Sequence, residues 1–228
     1  MENIQRQMRV VLLSAPSHDG SVNVWHAAAL AETCKIGLSR NINVIPVYMS
    51  YDSLVQRARN DIFKLAIDME VDDLFFVDTD QDWNPADFFR MLDHDVEVVG
   101  AAVPKKSDQE QYNVKMEMTS SVEDNGLVSV LSVGAGFMRI SKSALAKVWE
   151  TCQEYQEPHR DQPSRSVFEV KITDGVLYSE DVTFCQKWRD LGGTVWLDPL
   201  VNCGHSGHKR WVGNFYEWWK MVKSYSKQ

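Results

Sequence analysis

Two aspartates, Asp78 and Asp80, stand one residue apart at the end of the apolar run Leu74-Phe75-Phe76-Val77. An ionised carboxylate is expensive to bury unless it is paired or coordinates a metal. Asp, Asn and Pro follow at once, so the run ends at a surface. Alternate residues of a strand share a face. Extended backbone therefore sets Asp78 beside Asp80, and Asp82 joins them if the chain stays extended. Hard cations such as Mn2+ and Mg2+ take oxygen ligands of this kind, often together with substrate phosphates. A metal–diphosphate site is the chemistry this spacing could do. The plainer alternative is a solvated acidic loop in which Asp82 or Asn84 caps a helix beginning at Pro85.

Further along, Glu180 and Asp181 follow Ser179 where a helix should begin. A helix N-terminus favours an ionised carboxylate, which readies Asp181 to accept a proton; plain first-turn charges would look the same. Cys203, His205 and His208 are closely spaced, but three soft ligands with no CxxC partner make a poor structural zinc site. His208, Lys209 and Arg210 could clamp a diphosphate. Arg57, Arg59 and Asn60 alternate with apolar positions on a helix, as a solvated face also would.

The elements that must position these groups alternate at first. A strand over 9–15 is followed by a loop over 16–21, then a helix over 24–38 capped by Asn23. A strand over 43–49 precedes a helix capped by Asp52 or Ser53, with an apolar stripe of Val55, Ala58, Ile62, Leu65 and Met69. The strand ending at Asp78 comes next, then a short helix over 85–92 and a strand over 96–103. This order predicts a parallel sheet with helices on its faces. Ligands of such sheets bind at the C-terminal strand ends, where Pro16, Tyr51 and residues 78–82 would lie. The second half reads as strands over 111–118 and 127–133 joined by a turn at 123–126, a glycine-containing stretch over 133–138, and a helix over 142–155. A polar loop over 157–166 precedes the helix after Ser179, which Gly192-Gly193 ends. A last strand over 194–197 leads to an aromatic tail over 211–225, whose tryptophans should pack on the domain. No repeat or linker interrupts the chain. A single domain over 1–228 is expected, with 1–104 as the nucleotide-binding half and 105–228 as the half for donor sugar and acceptor.

Composition narrows the partners. The 228 residues carry a net charge of -8, which argues against broad nucleic-acid affinity. An acidic protein that binds an anionic substrate needs a cation to bridge them. Four scattered cysteines without a CxxC pair read as reduced thiols, so a cytoplasmic location is expected. Arg6 and Arg9 precede an apolar run, 10–13, too short for a signal-peptide core. No stretch approaches the ~20 apolar residues of a membrane span.

Taken in order, several pieces resemble GT-A glycosyltransferases, especially the family 2-like enzymes that use nucleotide-sugar donors. They are Ser14-Ala15-Pro16 after the first strand, Arg57-Ala58-Arg59-Asn60, Phe76-Val77-Asp78-Thr79-Asp80 and Gly134-Ala135-Gly136-Phe137. The run Ser179-Glu180-Asp181-Val182-Thr183-Phe184-Cys185 follows, leading into Leu191-Gly192-Gly193 and Val195-Trp196-Leu197-Asp198-Pro199. Each is weak alone; together they span most of the chain in a specific order. The resemblance implies a GT-A-like (Rossmann-like) α/β fold with a mixed, mainly parallel sheet flanked by helices. It also implies a metal-dependent glycosyltransferase that moves a sugar from a nucleotide-sugar, expected to be a UDP-sugar with Mn2+ or Mg2+, to an acceptor hydroxyl with inversion. By the same match Ser14, Pro16, Arg59 and Asn60 hold the nucleotide, Asp78 lies at nucleotide and metal, and Asp80 and His205 bind the metal. Gly134 and Gly136 admit the donor sugar to the backbone. Glu180 and Asp181 lie at the acceptor, with Asp181 as the base.

Two other classes stay open. A nucleotidyltransferase would carry a Gly- and Lys/Arg-rich phosphate loop after the first strand, and residues 16–20 contain no Lys or Arg. A non-catalytic nucleotide-sugar binding protein would tolerate loss of Asp181. The acceptor is open among a glycan, a protein side chain and a modified DNA base. The basic, aromatic tail over 209–227 suits a flipped base or single strand, against the overall acidity.

Overall fold

The computed structural model describes residues 8–158 and 160–225; Arg6 and Lys227 lie outside them. The first half runs β1 (Arg9–Ser17), α1 (Val24–Ser39), β2 (Ile42–Ser50), α2 (Val55–Asp68), β3 (Asp73–Val77), β4 (Gln81–Trp83), α3 (Pro85–Asp93) and β5 (Val98–Ala101). Next come β6 (Val114–Lys115), β7 (Val128–Val130), β8 (Ser132–Val133), β9 (Phe137–Ser141), α4 (Lys142–Thr151), β10 (Glu154–Tyr155) and β11 (Ser164–Arg165). The chain closes with β12 (Lys171–Thr173), β13 (Val176–Tyr178), α5 (Glu180–Asp190), β14 (Val195–Asp198), β15 (Cys203–Ser206), β16 (Arg210–Trp211) and α6 (Phe215–Tyr225).

Seven strands form one sheet in the order β2-β1-β3-β9-β5-β14-β7. β1, β2, β3, β5 and β14 run one way; β9 and β7 run against them. Strands from both halves of the chain thus share the sheet. β1 and β3 are nearly continuous apolar runs because both faces of the sheet are covered. Their alternation feeds two cores. Leu74 and Phe76 pack under α2, α4 and α5, while Phe75 and Val77 pack under α1 and α3.

Local chemistry sets the helix starts. Asn23 accepts from Trp25 N on α1, and Asn84 accepts from Ala86 N ahead of Pro85 on α3. α2 instead starts from Leu54 with no side-chain cap; Asp52 accepts from Leu54 N and pairs with Arg57. The α2 stripe buries Ala58 and Ile62, but its end members Val55 and Met69 are exposed.

Several expected boundaries move. β1 extends through Ser17, two residues into the expected loop, and β5 is four residues long, not eight. Only β6 forms within 111–118, and 127–133 breaks into β7 and β8, because β8 turns away to pair with β6. α4 stops at Thr151. β14 is not the last strand: β15 and β16 follow and build a small sheet with β4. β9 lies inside the main sheet where a plain loop-to-helix passage was expected. The hairpin β12–β13 is also additional, turning on Asp174 and Gly175, both at positive φ as a two-residue hairpin turn requires. Trp211 and Trp219 are buried, and Trp218 packs against Tyr112 and Phe215, as the tail's composition suggested.

Candidate active site

β3 delivers Asp78 to the C-terminal edge of the sheet, but the chain does not stay extended there. Gln81 N donates to Asp78 O at 3.0 Å, closing a tight turn over 78–81. Strand alternation therefore does not govern the three aspartates. Asp82 faces away and binds Arg210 through both oxygens, at 2.9 and 2.5 Å.

Backbone ties fix the turn on every side. Asp78 N donates to Gly136 O, Asn23 N to Thr79 O and Ser206 N to Asp80 O. Beneath it lies His26, fully buried on α1. Its Nδ1 sits 3.1 Å from Asp78 O and 3.0 Å from Gln81 O, and its Nε2 sits 2.7 Å from the Tyr48 hydroxyl. Carbonyls only accept, so Nδ1 carries the proton and Nε2 accepts from Tyr48. Burial pushes the His26 pKa down, against the pull of those two carbonyls, and pushes Tyr48 up to about 12. The imidazole is a neutral strut.

The turn opens on a cavity of about 560 Å³ lined by Arg59, Asp78, Gln81, Lys105, Lys106, Gly134, Gly136, Glu180, Asp181 and His205 among others. Arg59 is buried and crosses the cavity floor. Its Nη2 donates to Asp78 Oδ1 at 2.8 Å, its Nε lies 3.4 Å from Glu180 Oε1 without hydrogen bonding it, and its guanidinium sits over Phe76. One planar cation so joins the carboxylate of the 78–80 turn to the carboxylate pair on α5. Burial raises the Glu180 pKa, opposed by Arg59. Asp181 is half-buried. Its Oδ1 accepts from the Ser179 hydroxyl and from Val182 N, and among the described residues its other oxygen takes no hydrogen bond. Ser179, the expected cap of α5, spends its hydroxyl on Asp181 and makes no side-chain cap.

Asp80 Oδ2 has two partners, Lys106 Nζ at 2.5 Å and His205 Nε2 at 3.4 Å. Burial pushes this carboxyl up, and the hydrogen bonds and charge of His205 and Lys106 outweigh it, holding the pKa at about 2. His205 Nδ1 lies 2.8 Å from Pro104 O, so Nδ1 is the donor and Nε2 is the atom offered to Asp80. Asp80 Oδ2 and His205 Nε2 face each other, with the far imidazole nitrogen anchored on a carbonyl, and are atoms of the types that ligate a cation with outer support. Among the described residues no group of three or more His, Cys, Asp and Glu is arranged around a metal position.

Gly134 and Gly136 stand where side chains would intrude. A Cβ at Gly136 would lie 2.2 Å from Gln81 Nε2 and 2.9 Å from Asp78 Oδ2, and one at Gly134 would lie 2.5 Å from Asn113 Nδ2. The structure therefore gathers Arg59, Asp78, Gly134, Gly136, Glu180, Asp181 and His205 around one cavity, with Asp80 joined to it through Lys106 and His205. Three candidates fall elsewhere. Ser14 is fully buried and donates to Val47 O. Asn60 is buried and clasps Phe168, accepting from its N at 2.7 Å and donating to its O at 3.1 Å. Pro16, the penultimate residue of β1, is half-buried and outside the cavity lining. Of the basic trio in the tail, Lys209 pairs with Asp108, Arg210 with Asp82, and His208 packs on Trp211. Cys203 is buried, its thiol pushed well up by that burial.

The missed lining residues include Lys105, Lys106 and Gln81. Lys105 and Lys106 follow the β5 strand, and their place just past a strand end was the available signal. Gln81 is the last residue of the turn, with a side-chain oxygen that is buried and unpartnered; nothing in its type announced this.

No protein-family model matches the chain, and no curated protein matches it. Solved structures do. A197 from STIV superposes with a TM-score of 0.55 at 18% identity, over 88% of this chain and 86% of that one. GalNAc-T7, solved with UDP, GalNAc and Mn2+, superposes with a TM-score of 0.52 at 10% identity, over 88% of this chain and 44% of that one. The chain has a GT-A-like fold. A glycosyltransferase involved in glycosylation of the major capsid of PBCV-1 matches more loosely, with a TM-score of 0.35 at 15% identity over 62% of this chain and 66% of that one. At these identities the likeness is one of fold. No helix among the described residues is long and apolar enough to cross a membrane.

Proposed function

We propose that this GT-A-like chain is a metal-dependent glycosyltransferase that moves a sugar from a nucleotide-sugar, with UDP as the expected nucleotide, to an acceptor hydroxyl with inversion. The observation that carries the reading is the meeting of two carboxylate sets at one cavity: Asp78 with His205, to which Asp80 is joined, on one side, and Glu180 with Asp181 from the start of α5 on the other. Such a transfer needs charge neutralisation at a diphosphate leaving group and a base at the acceptor. GalNAc-T7, of similar fold, was solved with a nucleoside diphosphate, a sugar and Mn2+.

Asp80 and His205 would hold a Mn2+ or Mg2+ ion, which supplies neutralisation of charge developing on the diphosphate. Lys105 and Lys106 add positive charge on the same side. Arg59 holds Asp78 in place on the nucleotide side, and Gly134 and Gly136 leave room for the sugar against the β9 backbone. Asp181 accepts the proton of the acceptor hydroxyl as its oxygen bonds to the anomeric carbon; the bond to the diphosphate breaks and the nucleotide leaves. Glu180 is the weaker candidate for base because Arg59 shares it.

The test is thermal unfolding with nucleotides and nucleotide-sugars, with and without Mn2+, on the natural protein and Asp80→Ala. A ligand at 100 times its Kd stabilises by about 2.7 kcal/mol, or about 5–10 °C for a chain of this size. The expected result is a Mn2+-dependent shift with UDP compounds that Asp80→Ala loses. A shift indifferent to Mn2+ and to Asp80, or none with any nucleotide, sinks the reading.

A further inference from the structure

We propose that Lys106 is a resident counter-cation of Asp80, occupying in the free protein the carboxylate oxygen that a divalent ion takes, and that a bound diphosphate draws the ammonium away, so that metal and diphosphate bind cooperatively. The proposal rests on the metal–diphosphate reading of this cavity and adds an order of events to it.

The geometry is specific to one oxygen. Lys106 Nζ and His205 Nε2 both address Asp80 Oδ2, at 2.5 and 3.4 Å. A divalent ion on that oxygen would stand at contact range from an ammonium, and like charges so close repel unless an anion lies between them. The base of the lysine is fixed while its stem is long and rotatable. His205 Nδ1 donates to Pro104 O, Lys105 N to Gln111 O and Asn113 N to Val103 O, which pins the loop carrying Lys106. The side chain itself is 37% exposed, and its stem passes over Gly207, where a Cβ would come within 3.4 Å of Cδ. The Asp80 backbone is anchored as well, with Ser206 N donating to Asp80 O at 2.7 Å. Lys105 and Lys106 both line the cavity, so phosphate oxygens placed there offer the ammonium a new anion as the metal takes the old one. A flexible stem with a compact charge suits this hand-over better than a planar guanidinium would.

Coupling of this kind is reciprocal: UDP must raise the affinity for Mn2+ by the factor by which Mn2+ raises that for UDP. The experiment measures Mn2+ binding by the loss of the free-ion EPR signal, with and without UDP, and with the Mn2+–UDP complex formed without protein subtracted. It uses the natural protein, Lys106→Met, Lys106→Gln and Asp80→Ala, each checked for an unchanged melting profile. In the natural protein UDP is expected to tighten Mn2+ binding by about tenfold or more, within the usual range of such couplings. Both Lys106 variants should bind Mn2+ alone about fivefold tighter or more, with the gain from UDP reduced to about threefold or less. If they bind Mn2+ alone no tighter and keep the full gain from UDP, while Asp80→Ala abolishes binding, the hand-over is wrong and the metal site stands. If Asp80→Ala binds Mn2+ as the natural protein does in the presence of UDP, the site reading and the hand-over fall together.

Discussion

The 78–81 turn and the β12–β13 hairpin flank α5 from opposite kinds of surroundings. In the turn, each aspartate is held by backbone and by a charge: Gly136, Ser206 and His26 fix the chain, and Arg59 and Lys106 hold the carboxylates. In the hairpin, Val170, Ile172, Val176 and Leu177 are 47–70% exposed, and the strands bond mainly to each other. In the proposed function these residues would meet a diphosphate, and buried, non-local ties pre-position them. The hairpin lies two residues before the first turn of α5 and carries no such ties. Low local contact is where opening free energies are small, so substitutions on the two sides should have effects of different kinds and sizes.

The largest effect is expected at the junction. Asp181→Asn keeps the volume and an acceptor for Val182 N but cannot take a proton, so kcat should fall about 10²–10⁴-fold. The melting temperature and the UDP–Mn2+ shift should be unchanged. A loss under tenfold would move the base elsewhere, with Glu180 the next to test. Arg59→Met tests the buried side. It strands Glu180 and Asp78 without their cation, and breaking a buried pair typically costs about 3–5 kcal/mol. The Asp78 side chain is 34% exposed, and solvent screening holds the loss near the low end, about 3 kcal/mol by urea unfolding. A loss under 1 kcal/mol would mean that water already compensates these carboxylates and that the floor of the cavity is not dry.

What the sequence disclosed divides along the same line. Local rules placed β1, α1, β2, α2, β3 and α3, the caps Asn23 and Asn84, and the aspartates at a strand end, but not β4. Non-local ties stayed hidden. β9 escaped because Arg139 interrupts its apolar pattern, and the compensating partner Asp73, 2.7 Å away, lies 66 residues earlier. Asn60 looked like a ligand for the nucleotide, yet it clasps Phe168, 108 residues on. Asp198 lies in a motif-like run but is fully buried, accepting from Arg90, His94 and Leu200 N. The assumption that failed outright was extended backbone after Asp78: the turn was not anticipated, and its strut His26 lies 52 residues away on another element. The hairpin was not expected either, although Asp174-Gly175 was an available turn signal and residues 168–173 alternate apolar and polar.

The strut makes a pH prediction of intermediate size. Burial lowers the His26 pKa below its ordinary 6.5, so the folded state binds fewer protons than the unfolded one in mildly acid solution. The stability it contributes is complete above pH ~6.5 and declines as pH falls below that value. Asp80, held at about 2, adds a second decline only below pH ~4. Glu180, pushed up by burial, opposes both. Urea midpoints between pH 8 and 5 should therefore drop in the natural protein. His26→Gln should lower stability at pH 8 by about 1–2 kcal/mol through lost hydrogen bonds and flatten that slope. An unchanged slope would show that another group carries the acid limb.

The smallest effect belongs to the hairpin, and its smallness is the sharper half of the contrast. Ile172 and Leu177 face each other across the two strands and are 70% and 67% exposed. Apolar area already in water contributes nothing when it is replaced, so Ile172→Ser with Leu177→Ser should change stability by no more than about 0.5 kcal/mol. The Mn2+-dependent UDP shift should also survive, because no tie from the 78–81 turn reaches these side chains. A loss above 1 kcal/mol in urea would mean that the hairpin packs down in solution and shares the core's free energy. A lost UDP shift with normal stability would mean that the two sides of α5 are coupled, and the division between a fixed donor edge and an independent flank would have to be given up.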